Sequence, residues 1–169
     1  MNRIKNYLLA LAAVIMTFLG GNAAIAQSVG VSSFYSYNLV NSSYVNIGDL
    51  ASQNSTGSNQ QITPLTKGLV LASAQVQISN PGGKAVRGSC QLLISDGTGP
   101  LNGLTPMGYP AVWHTTDDPA YDLTVTVLGY SRKSTSPYNV VVQCQQLGAL
   151  GATQAQLSNL IVWQNNERR

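Results

Sequence analysis

The stretch GLVLASAQVQISN, residues 68–80, alternates: Val70, Ala72, Ala74, Val76 and Ile78 fall on one parity, and Ser73, Gln75, Gln77 and Ser79 on the other. Successive side chains of a strand point to opposite faces, so the pattern predicts a long strand with one face buried and one open to water. A sheet of that kind needs a second apolar layer against it. The rest of the chain agrees. Only 9% of the residues are charged, whereas a soluble helical protein covers its outer face with Glu, Lys and Arg, which are good helix formers. Here the polarity comes from Gln, Asn, Ser and Thr beside Val, Tyr and Gly, which suit strands and turns.

Further strands are marked off by turns. FYSYNLV and YVNIGDL are two short candidates, followed by a polar run, residues 51–61, that reads as an exposed loop. After the turn NPGGK, the segment AVRGSCQLLIS places Cys90, Leu92 and Ile94 on one face. LNGLTPMGYPAV, with its closely spaced glycines and prolines, reads as a crossing connection. YDLTVTVLGY turns Leu123, Val125 and Val127 inward, and SRKSTSP is the next turn. YNVVVQCQQLG aligns Val140, Val142 and Cys144. The last strand, AQLSNLIVWQ, is apolar at both parities near its end, which leaves its inward face ambiguous. About eight or nine strands with no helical period argue for an all-β, two-sheet sandwich. A jelly roll suits that strand number better than an immunoglobulin-like fold. Trp113, which lies between the cysteines, sits beside the polar HTTDD rather than in a core strand.

Before this domain, Arg3 and Lys5 precede an apolar run from Tyr7 to Leu19, and the small residues AIA end at Ala26. That is the pattern of an export signal of bacterial type, with cleavage after Ala26. The run is short of the roughly 20 residues that span a bilayer. The expected organisation is a signal peptide, 1–26, and one sandwich domain, 27–169, secreted or periplasmic and not membrane-spanning once processed. Loss of Arg3 and Lys5 takes the net charge from +3 to about +1, and the remaining cations are scattered. Nucleic-acid binding draws on a clustered basic surface, which is absent. In an exported chain the two cysteines, Cys90 and Cys144, are expected to be bonded to each other. Each falls on the apolar face of its strand, so the bridge is expected in the core.

GLVLASAQVQISNPGG, GSCQLLISD, YNVVVQCQQLG and LSNLIVW together resemble small exported bacterial β-sandwich proteins with one disulfide, over about 100 residues of the chain. The resemblance implies the sandwich and carries no site.

Candidate chemistry is sparse. VWHTTDDPAYD, residues 112–122, holds the only histidine, His114, and three of the six carboxylates. A metal site takes three or four ligands, so His114 is short of partners, although Asp117, Asp118 and Asp122 could in principle share a calcium ion. The competing and preferred reading is a turn, since Asp bonds its neighbouring backbone and Pro119 fixes φ. There is no nucleophile elbow, no phosphate-cradling glycine loop and no separated carboxylate pair, and no motif for a cofactor. The expected role is therefore non-enzymatic: structural, adhesive or assembly-related, with the chain itself or an envelope glycan or protein as partner. The alternative is a carbohydrate-binding module in which Tyr109, Trp113, Tyr130 and Tyr138, all in or beside loops, stack on sugar rings. Against that, each aromatic could equally fill the rim of the core.

Overall fold

A computed structural model describes residues 27–31, 35–39, 41–50, 68–95, 103–120, 122–133, 138–148 and 153–166. The segment expected to be an export signal, residues 1–26, and the expected loop, residues 51–61, lie outside the described residues, as do Tyr121 and Asp96.

Among the described residues ten strands follow one another: β1 (Gln27–Val31), β2 (Ser36–Asn38), β3 (Val45–Asp49), β4 (Gly68–Ser79), β5 (Arg87–Ile94), β6 (Thr105–Pro106), β7 (Ala111–His114), β8 (Asp122–Lys133), β9 (Val140–Leu147) and β10 (Gln154–Asn166). They form two five-stranded sheets, all of whose named pairings are antiparallel. The first runs β1-β10-β4-β8, with β2 also on β10, and the second runs β3-β9-β5-β6, with β7 also on β5. β1 and β2 pair with the same strand, as do β6 and β7, so each couple is one interrupted strand. Eight strands remain, four to a sheet, and the chain passes back and forth between the sheets as in a jelly roll.

The predicted parity of β4 is the observed one: Val70, Ala72, Ala74, Val76 and Ile78 are all buried. They face Cys90, Leu92, Ile94, Val140, Val142 and Cys144 of the other sheet in one continuous core. Each fully buried Val, Leu or Ile contributes about 1.5–3 kcal/mol of transfer free energy. The ambiguity of the last strand has a physical resolution. The register of β10 against β4 shifts between Leu157 and Asn159. A bulge of this kind inserts one extra residue and reverses the parity beyond it. Ala155 and Leu157 are inward before it, Leu160 and Val162 after it, and Ile161 and Trp163 are turned outward.

Cys90 and Cys144 are directly opposite each other on β5 and β9, 4.1 Å apart at Cα, disulfide-bonded and fully buried. The bridge is in the core, as its parity implied, and it joins two neighbouring strands of one sheet. The connection LNGLTPMGYPAV carries more order than expected, since β6 and the start of β7 lie within it. SRKSTSP is in part strand, β8 continuing to Lys133.

Candidate functional site

The segment that holds His114 is a stitched turn. Thr115 and Val86 exchange bonds: the Thr115 N–H donates to the Val86 carbonyl at 2.7 Å, and the Val86 N–H donates to Thr115 Oγ1 at 2.9 Å. Asp117 Oδ1 accepts from the Ala85 N–H. Asp118 Oδ1 accepts from the Ala120 N–H at 2.9 Å, an Asx turn around Pro119. Pro119 packs over Gly83, which holds a φ of +61° that L side chains rarely adopt. Two of the three carboxylates raised as calcium ligands thus hold backbone instead. Among the described residues no group of three or more His, Cys, Asp or Glu is placed to hold a metal. His114 is exposed and faces Arg87 across the strands.

The loop aromatics divide into two kinds. Trp113 is only 3% exposed; it turns inward and lies over Gly88, its pairing partner on β5. Tyr138 is only 2% exposed, with its hydroxyl donating to Gln164 Oε1 at 3.5 Å. Neither ring can stack on a sugar. The expectation that Trp113 stands outside the core because it borders HTTDD is corrected: alternation along β7 buries 113 while 112 and 114 face out. Burial pushes the Tyr138 hydroxyl up to about 12, from an ordinary value of 10.0. The folded state therefore keeps this proton where the unfolded chain has lost it, and stability declines as pH rises from 10 towards 12. Absorbance titration at 295 nm should show Tyr138 ionising late, and Tyr138→Phe should remove that step along with its part of the alkaline loss.

Tyr109 and Tyr130 remain open, 95% and 67% exposed, and they meet on one surface. Leu71, near the start of β4, is opposite Tyr130 of β8 on one side and Trp163 of β10 on the other. In the next outward row, Ser73 is flanked by Leu128 and Ile161. The β10 bulge is what brings Trp163 onto this outer face. Beside it, Met107 links the two sheets: its N–H donates to the Leu92 carbonyl at 2.9 Å, and its carbonyl accepts from the Tyr130 N–H at 2.7 Å. That approach needs glycine at 129, where a Cβ would stand 2.7 Å from Met107 Cβ. The overhanging Met107-Gly108-Tyr109 segment and the sheet enclose a groove of about 910 Å³, whose lining includes Leu71, Leu128, Tyr130 and Trp163 and no charged residue.

Leu71, Leu128 and Trp163 were not singled out from sequence, although Leu71 and Leu128 carry a signal. Each is an apolar residue on the outward parity, which Ser73, Gln75 and Gln77 hold further along β4 and Thr124 and Thr126 hold earlier in β8. Trp163 carries none, because the bulge hides its parity. The outer face of the other sheet differs: Ser89 Oγ takes a bond from Gln145 Nε2 at 3.2 Å and shares one with the Tyr44 hydroxyl at 3.1 Å, and Gln91 Nε2 donates to Gln143 Oε1 at 3.3 Å. The outer face of β9 and β5 is an amide and hydroxyl surface; that of β8, β4 and β10 carries, around Leu71, an apolar groove with no charged residue in its lining. Exposed apolar patches of the second kind mark binding surfaces.

No protein-family model and no curated protein matches the chain. Among solved structures it is similar to the Eiger TNF from S. frugiperda, with a TM-score of 0.50 and 7% identity over 85% of this chain and 94% of that one. Lower likenesses are to the infectious bursal disease virus Gx strain, TM-score 0.47, 8% identity, 84% of this chain and 33% of that one, and to the globular domain of zebrafish complement 1qA protein, TM-score 0.37, 10% identity, 84% and 98%. At such identities the likeness shows the fold alone, and the first of the three supports the two-sheet jelly roll read from the strand order.

Proposed function

We propose that this chain is an exported, non-enzymatic jelly-roll protein that assembles with further copies of itself, in a structural or adhesive role at the cell envelope or outside the cell. The observation that carries the reading is the row Tyr130–Leu71–Trp163 on the outer face of β8, β4 and β10. Two of its three residues, Tyr130 and Trp163, are of the kinds that dominate interface energetics. It is also self-complementary: with Leu71 at its centre, a second copy turned face to face sets Tyr130 against Trp163. No charge lines the groove, and a mature chain of net charge about +1 gives copies little reason to repel each other. The buried disulfide suits an oxidising compartment, which supports export.

Light scattering on the secreted protein is expected to give a mass that is a multiple of one chain. Leu71→Asp, outward on β4 and outside the core, should keep the fold and reduce the mass to a single chain. A wild-type protein that stays monomeric at high concentration contradicts the reading. A carbohydrate-binding role is the second reading, favoured by Tyr109, Tyr130 and Trp163 standing around one groove. A glycan array that gives hits sensitive to Tyr130→Ala, on a protein that is monomeric, selects it.

A further inference from the structure

Among the described residues, four polar side-chain atoms are buried without a hydrogen-bond partner: Asn80 Oδ1, Trp113 Nε1, Gln146 Oε1 and Thr153 Oγ1. They are not scattered. Gly88 pairs with Trp113 on one side and with Gln146 on the other. The indole Cε2, the atom bonded to Nε1, lies 2.5 Å from where a Gly88 Cβ would stand, so the N–H edge of the ring is over the glycine that separates it from Gln146. In the facing sheet Ser79 pairs with Gln154, which sets the adjoining residues, Asn80 and Thr153, side by side. The two pairs share one end of the sandwich. The Leu39 N–H donates to the Thr153 carbonyl at 2.9 Å and the Ser42 N–H to the Gln146 carbonyl at 2.9 Å, so one short segment ties the start of β10 to the end of β9. Asn80 Nδ2 donates to the Thr116 carbonyl at 2.9 Å and to the Lys84 carbonyl at 2.8 Å, which ties the stitched turn to the same place.

We propose that this end of the sandwich binds ordered water, which bridges the four groups beneath the turn of residues 115–120. The chemistry fits water and no charged ligand. Trp113 Nε1 can only donate, Asn80 Oδ1 and Gln146 Oε1 can only accept, and the Thr153 hydroxyl does either. Both hydrogens of Asn80 Nδ2 are already placed on carbonyls, so its unmet atom is the acceptor. A water molecule gives and takes two bonds each and meets donors and acceptors in this mixture. Buried waters of native proteins satisfy groups of this kind, and four unmet groups would remove a large part of the stability that a domain of this size has. Gly88 gives the indole its room, since a Cβ there would meet the ring itself.

The test compares thermal unfolding of the full chain with that of Thr153→Val and looks for long-lived water by nuclear Overhauser contacts from water to the Trp113 indole N–H. Val is nearly isosteric with Thr and at least as well suited to a strand edge. If water bonds the hydroxyl, the midpoint falls by about 3 °C and the indole N–H shows a water contact. A midpoint that is unchanged or higher means that the hydroxyl is unmet and its loss is harmless, and overturns the proposal. So does an indole N–H without a water contact, which would mean that the polar groups bond one another directly.

Discussion

Gly88→Ala is expected to destabilise the domain by about 3 kcal/mol or more, enough to leave little folded protein at 37 °C. The new Cβ would stand 2.1 Å from Cζ2 of Trp113 and 2.2 Å from the backbone oxygen of Gln145. Neither obstacle can move cheaply. The indole is packed in the core, and the Gln145 oxygen belongs to β9, which pairs with β5 along its whole length. Overpacking at most core positions is relieved by a flexible side chain; here it meets a ring and a strand. Urea unfolding of whatever folds measures the loss. A variant within 1 kcal/mol of wild type would mean that Trp113 does not lie over Gly88 and that the inward face of β7 is wrongly placed.

Removing the disulfide ranks next. Cys90 and Cys144 are 54 residues apart in sequence, and closing a loop of that length in the unfolded chain is worth about 4 kcal/mol in the chain-entropy model. Cys90→Ala with Cys144→Ala should lower stability by about that amount, somewhat more if the two shortened side chains leave space in a fully buried position. The single variants should lose as much and leave a free thiol. Because both sulfurs are in the core, mild reductant acting on the folded protein should have little effect until the domain unfolds. Denaturation with and without reductant checks both statements.

How far the molecule was legible depends on how local its signals are. The alternation in residues 68–80 is a property of one strand and needs no partner to be read, and the same holds for the parity of Cys90 and Cys144. The two-sheet sandwich follows from those faces. What was not legible depends on other strands. Trp113 is buried because Gly88, on a different strand, offers it a floor; nothing in HTTDD announces that. Trp163 is exposed because the bulge between Leu157 and Asn159 reverses the parity of its strand. So the tryptophan beside a polar loop is inside, and the one in an apolar final strand is outside, the reverse of what local composition suggests. The groove was half legible. Tyr109 and Tyr130 are legible as ligand-binding candidates and Leu71 and Leu128 as apolar residues on the outward parity, but the bulge hides Trp163. Tyr138 had to be placed by the structure. The histidine segment was open to the turn reading from the start, because Asp-Asp-Pro is a local signal and its bonds to Ala85 and Ala120 are those of a turn.

On the proposed function, the outer face of β4, β8 and β10 is covered by another copy of the same chain. A photoreactive amino acid carried at position 71 of the otherwise native protein, activated by light and followed by mass spectrometry of the joined peptides, reads the occupant of that face directly. The expected result is a covalent dimer whose joined peptide comes from β4, β8 or β10 of a second copy. Irradiation that yields no joined copy at concentrations where the protein is abundant, or that joins residue 71 to something else alone, would contradict it.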